Sequence, residues 1–416
     1  MQKAGGNVDG KAIKLVTELL SVPLDALLLR ILALVNYAPL LAFLELQNRK
    51  EVAMAIMTAI VKARAPLDTV EKVDAVLRYI TPAIKDEGEQ RTIGDEDRFE
   101  FEQEQHMVAR MFHLIANDDT DVHFSLYATA RKYFGQGGTQ RIEYTLPPLV
   151  FGSLQLALRI HARETGGDDS MSIKTKKIFG FIHETISVLT PHFPEVALRL
   201  FMHAAAISDR CSYDAISYEY VVQAFTAYEE EIADSKAQFA AIIGMVASLQ
   251  TFYTLSMENW DTLVTKATQH CAKLLKKPDQ CRAVYQCAHV FWPADEKQAQ
   301  FRDEKRVLAC LQRSLKIANA CMGQQLHLFV EILNQYLYFY DRQCPSITVQ
   351  YLKGLISLIE EHSRTVDDSE LSKAAKQHYE NTLQHIRIKQ QSDQADRYME
   401  ITQGGAAPIS EPQPPL

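Results

Sequence analysis

The chain has 416 residues, 47% of them apolar, and a formal net charge of −8. It can bury a large core, yet it is longer than one compact domain usually organises, which leaves two or three domains or one elongated array. The acidic balance excludes a general nucleic-acid binder, because neutralising phosphates requires a dominant basic surface.

The first residues, MQKAGGNVDGK, lack the apolar core of a signal peptide, so secretion is not expected, and residues 1–9 read as a flexible lead-in. Helices are predicted over 10–20, 24–35, 39–46, 49–64 and 69–85. The run 24–46 is the most membrane-like, but it contains Asp25, Arg30, Asn36 and Pro39. A spanning helix needs about 20 mostly apolar residues, so two short buried helices account for it better. A charged insert near 86–100, within KDEGEQRTIGDEDRFE, reads as a solvated loop.

Further helices are predicted over 102–116, 121–134, 147–164, 173–189, 195–208, 215–231, 236–255, 258–275, 279–291, 304–320, 325–340, 347–362 and 370–391. Glycine and proline fall at the corners, and no segment alternates convincingly enough to be a strand. Helix pairs recur every 35 to 45 residues, the period class of two-helix solenoid repeats, without a shared consensus. The tail over 392–416, ending GGAAPISEPQPPL, is too poor in bulky apolar residues to fold and reads as mostly disordered.

Candidate chemistry is thin. His183-Glu184 begins like an HExxH zinc helix, but Ser187 stands where the second histidine belongs. FGQGGTQR, residues 134–141, follows a helix and lacks the lysine of a phosphate-binding loop, so its glycines read as a cap and a turn. There is no GxSxG sequence. Seven cysteines, an odd number with no CxxC pair, read as reduced, buried thiols of a cytosolic protein. No cofactor or metal site is expected, and the chain reads as a binding protein, not an enzyme.

Two charge clusters stand out. Glu229, Glu230 and Glu231 close a helix at the end where its dipole opposes acids, by typically about 0.3–1 kcal/mol each when exposed. A solvated helix end and a site for a basic partner both fit. Lys273, Lys276 and Lys277 fall three and four apart, so one helix would gather them on a single basic face. Together the clusters allow a two-fold, self-complementary contact between copies. Pro278 fits the first turn of the next helix, which ends at His289 and Trp292. The histidine reads as packed or capping, because no second ligand lies at metal spacing. Tryptophan is often core, though it is enriched where binding energy concentrates.

Four stretches carry a resemblance: ARKYFGQGGTQRIEYTLPPLVF (130–151), AYEEEIADSKAQ (227–238), KLLKKPDQCRAVYQCAHVFW (273–292) and EILNQYLYFY (331–340). The sequence resembles the C-terminal half of the vacuolar protein sorting-associated protein 35 family, the retromer solenoid subunits, from about Leu19 through SVPLD (21–25) to about Arg387. The resemblance implies an all-α fold over 10–391, a right-handed, HEAT-like α-solenoid of stacked antiparallel helical hairpins. It implies a non-enzymatic scaffold of an endosomal coat. That coat acts on the cytosolic face of endosomes and returns transmembrane cargo to the Golgi or plasma membrane, with membrane contact made through other coat proteins.

By the same resemblance, His289 and Trp292, with Phe151 nearby, belong to the surface that holds the phosphoesterase-like subunit, vacuolar protein sorting-associated protein 29. Glu229, Glu230, Glu231, Lys273, Lys276 and Lys277 serve a weak, salt-sensitive homodimer. Leu158 replaces a usual aromatic, so that site has diverged. Two further departures matter, one being a tail unlike the family's ending. The N-terminal half with its PRLYL-type motif is absent, so the arrestin-like subunit is not expected to bind, and Met1 reads as the start of a fragment. The rival readings are a nuclear-transport type of solenoid adaptor and, from another class, a helical hydrolase using dispersed residues.

Overall fold

The computed structural model describes residues 10–85, 95–168, 170–321, 323–366, 369–392 and 395–401. Among these residues there are twenty α-helices, two short 3-10 helices and no named strand, the only bridge joining Leu67 to Ile115. The chain divides into two compact units, one formed by residues up to 211 with 223–227, the other by 212–222 with residues from 228 onward.

The first unit holds α1 (Gly10–Ser21), α2 (Leu24–Leu27), α3 (Tyr37–Ala42), α4 (Leu46–Ala63), α5 (Val70–Tyr79), α6 (Thr81–Ile84), α7 (Asp95–Phe112), α8 (Thr120–Phe134), α9 (Thr139–Thr165), α10 (Thr175–Ser187) and α11 (Pro194–Arg210). Next comes α12 (Asp214–Glu230), which contributes residues to both units. The second unit continues with α13 (Ser235–Leu249), α14 (Met257–Cys271), α15 (Lys277–Cys287), α16 (Glu304–Asn319), α17 (Gln325–Asp341), α18 (Val349–Thr365), α19 (Glu370–Gln390) and α20 (Ala395–Tyr398).

Local chemistry sets these boundaries. The side chains of Asp119, Asp234, Ser256, Asp303 and Ser369 accept hydrogen bonds from the first free backbone N–H groups of their helices. Pro194 and Pro278 occupy first turns, where a missing N–H costs nothing. At the glycine corner after α8, a Cβ on Gly137 would lie 2.6 Å from the Ile84 carbonyl oxygen, and Gly138 has φ 85°, so both positions require glycine.

Most packing in each unit is between helices one to three places apart in sequence. In the second unit α13 packs on α14 and α15, α15 on α16 and α17, and α17 on α18 and α19. In the first, α9 packs on both α10 and α11, and α7 and α8 pack on α9. Hairpins stacked on their neighbours in this way make an all-α solenoid. Helix α17 lies deepest, with Leu328, Phe329, Val330, Ile332, Leu333 and Phe339 all fully shielded. All seven cysteines are free and buried. Burial pushes the Cys281 thiol up to about 12.

Several elements differ from their sequence-based limits. Helix α9 starts at Thr139, not at 147, and runs through Pro147 and Pro148. An interior proline costs roughly 3 kcal/mol, but the added turns bury Arg141, Ile142, Thr145 and Leu146. Helix α7 begins at Asp95, inside the predicted charged insert, whose residues 86–94 lie outside the described set, as do 1–9 and 402–416. The run 24–46 is broken into α2, a 3-10 turn and α3. No helix of the described residues is long and apolar enough to cross a membrane. Packing also continues past 391, because α20 buries Tyr398 fully and Ile401 almost fully.

Candidate interaction surfaces

The first surface lies along α15 and α17. Helix α15 ends at Cys287, and single turns carry the backbone on, with the His289 N–H donating to the Gln286 carbonyl and the Trp292 N–H to that of His289. This places the half-buried His289 and Trp292 against α17. The His289 Nε2 sits 2.7 Å from Gln335 Oε1, so it carries the proton in that bond. Its ring centre is 4.6 Å from that of Tyr338 and 5.0 Å from that of Phe339. Burial lowers the His289 pKa from its usual value, and the nearby Arg342 charge adds to this, while the Gln335 bond works the other way.

Guanidinium groups complete the cluster. Trp292 Nε1 donates to the Arg342 carbonyl at 3.4 Å, and Arg302 lies 5.5 Å from the indole. The Arg342 guanidinium covers the Tyr338 ring at 4.6 Å. One turn back, Arg282 and the Tyr285 hydroxyl both donate to Glu331, at 3.0 and 3.1 Å, and His327 pairs with the same carboxylate at 3.0 Å. Gln335, Tyr338 and Arg342 were not singled out from the sequence. Successive steps of four, three and four from Glu331 align them along one face of α17 and its C-cap Arg342, and could have revealed them.

Phe151 lies in the first unit, on α9. It is 43% exposed, with its ring edge-on to His203 of α11 at 5.5 Å. Leu158, two turns along, is half-buried.

The second surface is built from charges in the second unit. Glu229 does not project freely: its carboxylate is 3.0 Å from the Lys266 ammonium and 2.7 Å from His270 Nε2. Partial burial opposes its ionisation, yet the bonds and charges of Lys266 and His270 outweigh this and lower its pKa. Thus α14 supplies the basic partner that the unfavourable helix end requires, and the Tyr228 ring packs on His270 at 5.0 Å. Glu230 and Glu231 remain exposed.

The lysines do not share a helix face. Helix α14 stops at Cys271 and α15 starts at Lys277, so Lys273, Lys276 and Lys277 line a corner. The reason is local. Leu274 turns inward to 6% exposure, and Gln280 Nε2 caps the end of α14 by donating to the Ala272 carbonyl, while Leu275 is left 80% exposed. Lys277 donates to Gln280 at 2.9 Å. Lys276 is near enough to Asp234 to act on its titration: backbone N–H bonds, chiefly from Ala237, lower the Asp234 pKa, and the lysine charge adds to them.

The remaining motifs are structural. Glu184, of the HExxH-like fragment, pairs with Arg131 at 2.9 Å. Among the described residues no group of three or more His, Cys, Asp or Glu side chains is placed to hold a metal ion.

Comparison with known proteins agrees with this architecture. The sequence profile of the vacuolar protein sorting-associated protein 35 family matches residues 2–362. The chain is 37% identical to vacuolar protein sorting-associated protein 35A of Arabidopsis thaliana over 412 residues, covering 94% of this chain and 51% of the relative. It is 32% identical to vacuolar protein sorting-associated protein 35 of Schizosaccharomyces pombe over 341 residues, 80% of this chain and 39% of that one. The protein of the same name from Dictyostelium discoideum is 31% identical over 383 residues, 90% of this chain and 48% of that one. The chain thus spans about half the length of the curated relatives it matches. With the profile covering most of its length and the helices stacking as a solenoid, the chain belongs to the vacuolar protein sorting-associated protein 35 family.

Proposed function

We propose that this chain is a non-enzymatic scaffold segment of the retromer coat on the cytosolic face of endosomes. In this reading it holds the phosphoesterase-like subunit, vacuolar protein sorting-associated protein 29, and pairs with a second copy of itself. The assembly would support retrieval of cargo to the Golgi and plasma membrane. The observation that carries the reading is the cluster of His289 and Trp292, in the turns after α15, with Tyr338 of α17 and Arg342 just past its end. Aromatic and arginine side chains held rigidly at a surface are the residues that concentrate binding energy, while area around them supplies complementarity. Phe151 offers a separate exposed aromatic anchor.

His289→Arg tests the partner site. The substitution removes the Gln335 bond and adds a permanent charge beside Arg342, where burial keeps the imidazole neutral. An unpaired charge in an interface costs several kcal/mol, on the order of 3–5. Capture of purified vacuolar protein sorting-associated protein 29 by the variant should fall at least about a hundredfold in affinity. Retention at wild-type affinity by a variant with an unchanged melting midpoint would overturn the assignment.

A further inference from the structure

The segment 395–401 is held as a ligand is held. Helix α20 is four residues long, too short to persist in water on its own, so its conformation is imposed by what it touches. Its two anchors, Tyr398 and Ile401, are 0% and 2% exposed and lie three residues apart. The Tyr398 ring stands edge-on to Tyr340 of α17 at 5.5 Å.

Reciprocal bonds fix the backbone between them. The Tyr340 hydroxyl donates to the Arg397 carbonyl at 2.7 Å, and the Arg397 guanidinium donates back to the Tyr340 carbonyl. That guanidinium also lies 4.3 Å from the centre of the Tyr340 ring. From α19, Gln390 Nε2 donates to the Tyr398 carbonyl at 3.0 Å. Two buried side chains, a stacked cation and main-chain bonds are the means by which a groove recognises a short helical peptide.

The fit has one flaw. The Tyr398 hydroxyl is buried without a hydrogen-bond partner, a loss that phenylalanine at this position would avoid. An occupant that fills its pocket with an unsatisfied polar group is easier to displace than one that fits fully.

We propose that the groove formed by α17 and α19 is a peptide-binding site, and that residues 395–401 are a strap occupying it from within the chain. When the strap leaves, the groove takes a segment of another protein with the same pattern: a guanidinium next to an aromatic anchor, with a branched aliphatic side chain three residues on. Tethering gives the strap an effective concentration in the millimolar range, so the site is closed to competing peptides until the strap is weakened.

The test uses the full chain carrying Tyr398→Ala and Ile401→Ala, and a fluorescent peptide of residues 392–402, read by anisotropy. The peptide should bind the variant saturably and the wild-type chain at least about tenfold more weakly, because the tethered strap competes. Placing phenylalanine at position 398 of the peptide should tighten binding at least about fivefold, as the unpaired hydroxyl disappears. Absence of peptide binding by a variant with wild-type circular dichroism and melting midpoint would overturn the proposal. So would loss of hydrogen-exchange protection throughout α17 and α19 in that variant, since the segment would then be part of the core.

Discussion

The Arg141 guanidinium and the Glu104 carboxylate meet at 2.6 Å with their side chains only 4% and 9% exposed, and the same guanidinium nitrogen donates to the Ala83 carbonyl. One buried pair thus ties α9 to α7 and α6. Gln105 joins it by donating to both the Ala83 carbonyl and Glu104. Removing Arg141 leaves the Glu104 carboxylate buried with only the longer Lys50 contact, at 3.7 Å, to balance it, a loss of up to roughly 3–5 kcal/mol. Arg141→Met and Glu104→Leu should each lower the melting midpoint sharply, while the double variant should recover a large part of the loss. A double variant as unstable as the sum of the two singles would refute the pairing.

Gly152 of α9 faces Tyr127 of α8. A Cβ there would lie 2.7 Å from the Tyr127 hydroxyl oxygen and 3.2 Å from a Phe112 ring carbon. Tyr127 is itself stacked on Phe112 at 5.1 Å, so it has little freedom to withdraw. Gly152→Ala is expected to destabilise by about 1–3 kcal/mol. Gly180→Ala on α10, where nothing lies within 4 Å, should instead stabilise by roughly 0.5–1 kcal/mol. Denaturant unfolding of both variants checks the contrast in sign.

The proposed pairing of copies should respond differently to the two halves of the charged surface. Reversing Lys273 and Lys276 to Glu is expected to weaken pairing of copies strongly in low salt and little in high salt, because exposed charges are screened over about 8 Å at physiological ionic strength. Glu229→Ala should also affect the fold locally, by removing the carboxylate that pairs with Lys266 and His270 beside the α12 end. Sedimentation at two ionic strengths, alongside thermal melts, separates these effects. Unchanged pairing after lysine reversal would sink the charge-pairing reading.

Acid should destabilise the chain through its buried histidines before its carboxylates. Burial lowers the pKa of His289 and of His123 below the ordinary 6.5, and the Arg342 and Arg159 charges act in the same direction. The unfolded chain then binds protons that the folded chain refuses. The stability contributed by the neutral rings is complete above the unfolded value and is lost as pH falls through the lower folded values. Replacing both histidines by Gln should flatten the decline of the melting midpoint below about pH 6.5. A decline equally steep in wild type and double variant would contradict this.

Much of this was legible in the chain. Period and corner residues place most helices, since apolar spacing and caps are local properties. Likewise Pro278 marks the start of α15, and the buried cysteines follow from their lack of pairing motifs. The errors arose where distant residues decide. Helix α9 continues through two prolines because Arg141 finds Glu104, 37 positions earlier. The lysine corner bends because Leu274 is drawn into the core. Glu229 looked available for a partner, but its basic neighbours lie on α14, two helices along the chain, 37 and 41 residues on. The strap was missed for a related reason: its four-residue helix is held from outside, by Tyr340, 57 positions earlier, and by Gln390.

The burial of every thiol gives the molecule a practical property. Cys211, Cys271, Cys281, Cys287, Cys310, Cys321 and Cys344 are all shielded, and burial raises the Cys281 and Cys211 thiols to about 12 and about 11, so almost no thiolate is presented to solvent at neutral pH. A maleimide or spin label will therefore ignore the native chain. One cysteine introduced at the exposed Leu275 would be a unique attachment point, reporting on the lysine corner from an otherwise silent background.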